Sequence, residues 1–427
     1  MITDQQIQQS VAEEGKQAPK DCVLLVMSPY SSHLIPTYQL ARRFQESGHE
    51  VVYVSSPRFE QEIVHQGFGF QSTTVVESGK FLPTDQLINF LALRYQPYLW
   101  LVEVSFWTWG LFLQDRKLPF MMIQTWPCCN RAPYSLPEGY RFLGKRNLYN
   151  RLKSAWLWRR HNRQVRQQWI DEEGNQFYHD TIAQTGLSPD QAHISRHNRV
   201  AYPKVLGAKE LILYPKELDI PRKQDPNTIF IGPFLNPDRE EEELPYDLEN
   251  EQRPVVYCSM GSLSRLFRQR QTFYERVIEA FANRPDRFLV MTVGKNNHSF
   301  LNREYPGNIR VVDYAPQFQV LQDADAFITH GGAGSLKESI WHGVPMLVYP
   351  WDDKSDRFGN ADRVAFHQLG LIGDVLEDSA IEVNNKLDQL LSDPQIKTGM
   401  AQMKQTFHDY AKKETNILEQ LKTEIYG

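Results

Sequence analysis

Apolar runs of about five residues, each closed by small or polar residues and followed by a helically spaced segment, recur along this chain. The first run is Val23–Met27; a turn at Ser28–Ser32 follows, then a helix from about Leu34 to Ser47 and a second run, Val51–Ser55. Continuous apolar strands alternating with helices predict a parallel sheet covered on both faces. Pro36 is expected in the first turn of that helix, where a missing N–H costs nothing. Gly48-His49 is expected to end it with a left-handed glycine. Tyr98–Val104 and Phe120–Gln124 read as further buried strands, and from Cys128 to about His197 the periodicity is mostly helical. Ile231-Gly232-Pro233 closes the first half. The stretch Asn236–Gln252, with Asp238, Glu240 to Glu243, Asp247, Glu249 and Glu251, reads as a solvated linker. A second set of elements follows: Pro254–Met260, a helix around Gln271–Asn283, Phe288–Val293, Ile309–Val312, Ala326–Thr329, a helix from Leu336, and Pro345–Tyr349. The last helices place Met403, Phe407, Tyr410, Leu418, Leu421 and Ile425 on a face for packing. The expected division is a disordered tail at 1–20, an N-terminal domain at 21–235, the acidic linker at 236–253, a C-terminal domain at 254–402 and a closing helix at 403–427.

A length of 427 residues suits two domains, each able to bury a full core. The net charge of −5 argues against a general nucleic-acid binder. Cys22, Cys128, Cys129 and Cys258 show no metal spacing and read as reduced residues of a cytoplasmic protein. The first twenty residues are too polar for a signal peptide, and no apolar stretch reaches transmembrane length. The expectation is a soluble protein, peripheral at a membrane at most.

Chemistry concentrates in Phe327–Asn360, FITHGGAGSLKESIWHGVPMLVYPWDDKSDRFGN. His330 falls at the carboxyl end of a strand and Ser335 at the mouth of the following helix, where an open α/β sheet places its ligands. Free N–H groups and the positive end of the helix dipole favour a phosphate there. Glu338 lies one turn further on. An acid beside a phosphate is unfavourable unless it has another task, and accepting bonds from ribose hydroxyls is such a task. A nucleotide diphosphate site follows. The turn after the first strand of the chain lacks GxGxxG, so the nucleotide is expected in the second half.

Tyr314-Ala315-Pro316-Gln317, then His330, Gly332, Ser335 and Glu338, then Asp356-Arg357 just ahead of Asn360, run in the order of a known signature. At these positions, and in general pattern from about Val23 to the end, the chain resembles the UDP-sugar glycosyltransferases, the inverting GT-B superfamily that glycosylates small molecules. The resemblance implies two Rossmann-like α/β domains facing a cleft, with the closing helix crossing back onto the first. It implies a UDP-sugar co-substrate, with no cofactor and no catalytic metal. His330 and Ser335 would bond the diphosphate, helped by the backbone at Gly332 and at Gly334, where many relatives carry Asn. Gly261-Ser262 would form a second phosphate loop. Tyr314, beside Ala315, would stack on uracil in place of the usual Trp, and Gln317 and Glu338 would serve base and ribose. Asp356 would read the transferred sugar. Arg357 stands where relatives have Gln: it either faces a uronic acid carboxylate or turns to solvent. Two extra residues after Pro350 favour solvent.

The same resemblance makes His33 the general base, with Ser32 replacing the family's Gly. A base histidine needs an acidic orienter; Glu103 is the matching candidate and Asp115 the fallback. Phe90, Tyr95, Tyr98, Trp100, Phe106, Trp107, Trp109, Trp126 and Tyr134 suit a lipophilic or aromatic acceptor, although some must be core. Residues 141–169 hold nine Lys/Arg and no acid, with Tyr149, Trp156, Trp158 and Trp169 interleaved. Such a stretch is either a lid helix with a solvated basic face, the favoured reading, or a peripheral contact with anionic lipid. The function expected is transfer of a hexose, glucose above others, from UDP-sugar to a small-molecule hydroxyl with inversion. A lipid-directed N-acetylglucosaminyl transferase and a UDP-sugar 2-epimerase are the alternatives, and a non-catalytic sugar-nucleotide binder ranks last.

Overall fold

The computed structural model describes residues 21–72, 85–127, 131–133, 135–137, 147–170, 182–183, 194–195, 202–223, 225–237, 239, 248–295, 297–351, 356–414 and 421. The expected tail, Cys128-Cys129, Tyr134, the acidic run 240–247, Leu418 and Ile425 lie outside them.

Strands β1 (Cys22–Val26), β2 (Glu50–Ser55), β3 (Gly69–Ser72), β4 (Leu99–Glu103) and β5 (Phe120–Gln124) come first. A short antiparallel pair, β6 (Ile194–Ser195) and β7 (Lys204–Val205), precedes β8 (Glu210–Ile212) and β9 (Thr228–Phe230). Seven of these make one parallel sheet in the order β3-β2-β1-β4-β5-β8-β9. The second sheet holds β10 (Val255–Ser259), β11 (Phe288–Thr292), β12 (Ile309–Val312), β13 (Ala326–Thr329), β14 (Met346–Val348) and β15 (Gly370–Ile372), all parallel, in the order β12-β11-β10-β13-β14-β15. Every residue of β1, β4, β10 and β13 is buried, which is why these strands read as unbroken apolar runs. Strand order reverses between β1 and β4, and again between β10 and β13. A crevice opens at the carboxyl ends of such neighbours because the helices after them leave on opposite faces.

The helices that matter for the site are α1 (Ser31–Glu46), α2 (Trp107–Asp115), α3 (Leu148–Ile170), α4 (Gln317–Asp323), α5 (Ala333–His342), α6 (Arg357–Phe366) and α7 (Pro394–Lys413). In α1 the buried residues Leu34, Thr37, Tyr38, Leu40, Ala41 and Phe44 keep helical spacing and cover the first sheet. Gly48 ends it with φ +86°, as expected. The start of α1 differs from expectation. The helix begins at Ser31, so His33 lies in its first turn and Pro36 is its sixth residue, where the ring removes the donor that the Ser32 carbonyl would otherwise receive. Likewise α5 begins three residues before Leu336, and α7 runs unbroken through Met403, so the division expected there falls inside a helix.

The two halves are tied in several places. Met400, Met403 and Phe407 of α7 share a core with Ile212, Tyr214 and Leu218 of the first half. Glu414 accepts the Phe234 N–H at 2.7 Å, and Leu421 is buried with Val23 and Leu25 in the first core. Burying such a side chain contributes about 1.5–3 kcal/mol. Tyr214, fully buried, donates its hydroxyl to the Ala333 carbonyl at 2.6 Å, which anchors the first residue of α5 to the opposite domain. Among the described residues Cys22 and Cys258 are free and buried, and no helix is long and apolar enough to cross a membrane.

Candidate active site

Glu103 ends β4 with no exposed surface, and its neighbour strand β1 supplies the groups that meet it. One carboxylate oxygen accepts the Ser28 N–H at 2.7 Å and the Ser28 hydroxyl, which is itself 2.8 Å from the Ser105 hydroxyl. The other oxygen meets Nδ1 of His33. Burial alone would raise the Glu103 carboxyl. The His33 charge and the bonds from His33 and Ser28 outweigh it and hold the group below the ordinary carboxylate value. On His33 burial works against the charged ring, but Glu103, with Asp356 adding from the other domain, leaves the imidazole above its ordinary value. Asp356 is therefore within electrostatic reach of His33 across the two halves. Asp115, the fallback orienter, ends α2, and its carboxylate lies 3.9 Å from Arg116; it takes no part in this pair.

Around His33 stand Trp126, ring centres 5.2 Å apart, and Tyr30 at 5.5 Å, with Tyr202 at 6.1 Å from Trp126. The remaining aromatics divide differently from expectation. Trp100 and Trp109 are fully buried and, with Tyr95 and Trp107, belong to the core beneath the sheet.

In the second half, β10 and β13 pair so that Ser259 faces Thr329, and the loops after them converge. A side chain on Gly261, whose φ is +77°, would come within 2.6 Å of the His330 Nε2, and one on Gly332 within 2.5 Å. Two glycines thus clasp the imidazole. His330 is buried, its Nδ1 has no protein hydrogen-bond partner, and burial together with the Arg357 charge pushes it down to about 3. At neutral pH this ring is uncharged. The first intrahelical bond of α5 runs from Leu336 to Gly332, so the N–H groups of Gly332, Ala333, Gly334 and Ser335 have no intrahelical acceptor. Ser262 is exposed at the end of the Gly261 turn.

Tyr314 is 53% exposed, which places it outside the core, while Ala315 beside it is buried. Gln317 opens α4 and donates to Glu338 at 2.7 Å, with Ser335 Oγ at 3.4 Å. Asp356 accepts from Asn360 at 2.7 Å, and Asn360 also donates to the Gly331 carbonyl at 2.8 Å, which links the turn after β13 to the start of α6. Burial raises the Asp356 carboxyl, against Asn360, Arg357 and His33. Arg357 corrects the expectation of a solvent-facing residue. It is buried, with its guanidinium carbon 4.0 Å from the centre of the Trp351 ring, and Trp351 in turn stacks on Phe267 at 5.4 Å. A guanidinium can shed water onto an aromatic face more easily than an ammonium can, and this allows the burial.

Sequence reasoning missed Ser28, Asn360, Trp351 and Arg239, the last of which meets Glu338 from the inter-domain connection at 2.8 Å. Ser28 had a signal, since a hydroxyl at the carboxyl end of β1 is well placed to serve a neighbouring strand end. Among the described residues no group of three or more His, Cys, Asp or Glu could hold a metal ion.

Two facing parallel sheets with a crossing tail define a GT-B architecture. The solved structure of the kitacinnamycin glycotransferase superposes with a TM-score of 0.70 at 22% identity, over 95% of this chain and 99% of that one. The family model for UDP-glucoronosyl and UDP-glucosyl transferases matches residues 187–415, more than half of the sequence, and the chain belongs to that family. The oleandomycin glycosyltransferase of Streptomyces antibioticus is 35% identical over 159 residues, which are 36% of this chain and only 35% of that protein. The NDP-glycosyltransferase YjiC of Bacillus subtilis (strain 168) is 28% identical over 349 residues, 77% of this chain and 79% of the relative.

The clasp around His330 separates three neighbouring glycines. Gly261→Ala and Gly332→Ala should each lower stability by about 1–3 kcal/mol, the range for forcing extra carbon into a packed site. A side chain at Gly334 meets nothing within 4 Å, so Gly334→Ala, inside the first turn of α5, should be neutral or stabilise by up to about 1 kcal/mol. Urea unfolding of the three variants measures this; equal midpoints would mean that the ring is not clasped.

Proposed function

We propose that this protein transfers a hexose from a UDP-sugar to a hydroxyl of a lipophilic or aromatic small molecule, with inversion. The observation that carries the reading is the pair of His33 with buried Glu103 at the switch point of the first sheet, within electrostatic reach of Asp356 of the second half. Glu103 accepts the Nδ1 proton and leaves the Nε2 lone pair to take the proton from the acceptor hydroxyl. The oxygen so activated attacks the anomeric carbon from the face opposite the diphosphate, and the UDP leaves. The rings of Tyr30 and Trp126 beside His33, with Tyr202 against Trp126, suit an aromatic or lipophilic acceptor. In the second half, the four N–H groups at the start of α5, Ser335 and Ser262 surround the place for the diphosphate. Exposed Tyr314 would stack on the base, Gln317 and Glu338 would meet base and ribose, and Asp356 the sugar. Since His330 is uncharged, fixed positive charge beside the leaving group comes from Arg357.

An acceptor screen against several UDP-sugars, read by mass spectrometry, tests the reaction, and donor incubated alone separates it from epimerisation. His33→Ala should lower kcat by about 10²-fold or more with UDP affinity nearly unchanged. In the wild type, kcat/KM should rise with pH through the elevated His33 titration. Glu103→Gln removes the group that holds that titration up, so the acid limb should move to lower pH while the maximal rate falls. An unmoved limb would separate His33 from the rate.

Arg357→Gln should weaken UDP binding by about 1.5–3 kcal/mol, the scale of a hydrogen bond to a charged group, and UMP binding less. The ranking of UDP-glucose against UDP-glucuronate should stay as in the wild type. A reversed ranking would assign the guanidinium to a sugar carboxylate instead.

The helix α3 supports a peripheral contact with anionic lipid. Its face opposite buried Leu157 and Trp158 exposes Leu148, Tyr149, Leu152 and Trp156, with Arg151, Lys153 and Arg160 alongside. The exposed side is thus more apolar than a solvated basic face. Vesicles of anionic phospholipid should carry the protein down on sedimentation, and neutral vesicles should not. Leu152→Glu with Trp156→Glu should leave it in solution; co-sedimentation of that variant would end this part of the reading.

A further inference from the structure

Arg239 is the one cation in the acidic stretch between residues 236 and 252. A lone arginine among acids would be expected to pair locally in water. Arg239 also reaches the second domain. Its Nη1 donates to Glu338 Oε1 at 2.8 Å, and its guanidinium carbon lies 4.6 Å from the centre of the Phe318 ring, on α4. Phe318 is held in turn by an edge contact with His342 at 4.3 Å. The other oxygen of Glu338 accepts from Gln317 at 2.7 Å. Each carboxylate oxygen therefore has its own donor, one from Arg239 and one from Gln317. A carboxylate oxygen can accept twice, so each keeps a second acceptor position while the group as a whole cannot rotate. The side chains are mostly covered, with 25% of Arg239 and 13% of Glu338 left exposed, which limits screening of the pair by water.

A further consequence concerns charge. An ionised Glu338 one turn past the start of α5 would repel an incoming diphosphate. A guanidinium in contact cancels that charge at short range and leaves the acceptor positions in place.

We propose that Arg239, reaching out of the inter-domain connection, is a positioning residue for a ribonucleoside diphosphate: it neutralises and orients Glu338 so that this carboxylate discriminates ribose from 2′-deoxyribose. The proposal rests on the reading of Glu338 as the ribose acceptor given above.

Calorimetry with UDP and 2′-deoxy-UDP on the full chain tests it. Glu338→Ala should abolish the preference for UDP over the deoxy analogue. Arg239→Ala should lower UDP affinity about tenfold, the scale of one charge-assisted hydrogen bond, and bring the two affinities together. Arg239→Lys, which keeps charge but not the planar fork, should recover part of the UDP affinity. In the Glu338→Ala background the Arg239→Ala change should have little further effect. Should Arg239→Ala fail to fold, Arg239→Gln, of similar reach and without charge, takes its place with the same expectation. The proposal is overturned if Arg239→Ala keeps the wild-type preference while Glu338→Ala loses it, or if Arg239→Ala costs as much without Glu338 as with it. If Glu338→Ala itself keeps the preference, the ribose reading fails, and Arg239 loses its role with it.

Discussion

A carboxylate at the end of a fully buried strand has to be given hydrogen bonds, because an ionised acid left unpaired away from water costs several kcal/mol. At Glu103 every one of those bonds shown comes from the chain just beyond β1, the Ser28 N–H and hydroxyl from the turn and the His33 ring from the first turn of α1. That requirement organises much of the first domain. It needs β1 beside β4, which is the pair where strand order reverses. It needs α1 to start early enough for His33 to lie in its first turn. It also decides which ring nitrogen is spoken for, and so which one faces outward. The chemistry of the first domain is thus a by-product of satisfying one buried acid.

The second domain repeats the placement with the opposite electrostatics. His330 also follows a central strand, at the corresponding reversal of strand order, but the charged neighbour that acts on it is Arg357 rather than a carboxylate. One imidazole is held above its ordinary value by an acid and the other is held down by burial and a guanidinium. Under the proposed reaction, the first ring would accept a proton and the second would stay neutral beside phosphate, and these two environments suit those tasks. Both arise from a single residue type at matched positions of two similar sheets.

Much of this was legible in the chain. Long buried strands such as β1, β4, β10 and β13 announce themselves, since a strand covered on both faces has no room for polar alternation. The Phe327–Asn360 stretch carried its glycines, histidine and serine at spacings that a strand–turn–helix requires. Short strands were not legible. Gly69–Ser72, Glu210–Ile212 and Gly370–Ile372 contain glycine or an acid, and it is pairing with a neighbour, not local preference, that makes them strands. The start of α1 was hidden by Pro36, which the structure accommodates at the loss of one helical bond. Arg357 was misjudged and Arg239 missed for a common reason. A charged side chain reads as solvated unless its partner is known: Phe318 and Glu338 lie far from Arg239 in sequence, and the charged residues between Trp351 and Arg357 give no hint of that stacking.

The returning tail has a mechanical meaning. The chain passes from the first domain to the second after β9 and comes back beyond α7, where Glu414 meets Phe234 and Leu421 enters the first core. A body held by one tether can swing and twist about many axes. Held at several points, through the shared core of α7 and the Tyr214–Ala333 bond as well, it resists most of these motions. The ties on both sides of the crevice thus hold His33 and Asp356, which lie on different domains, in one fixed relation.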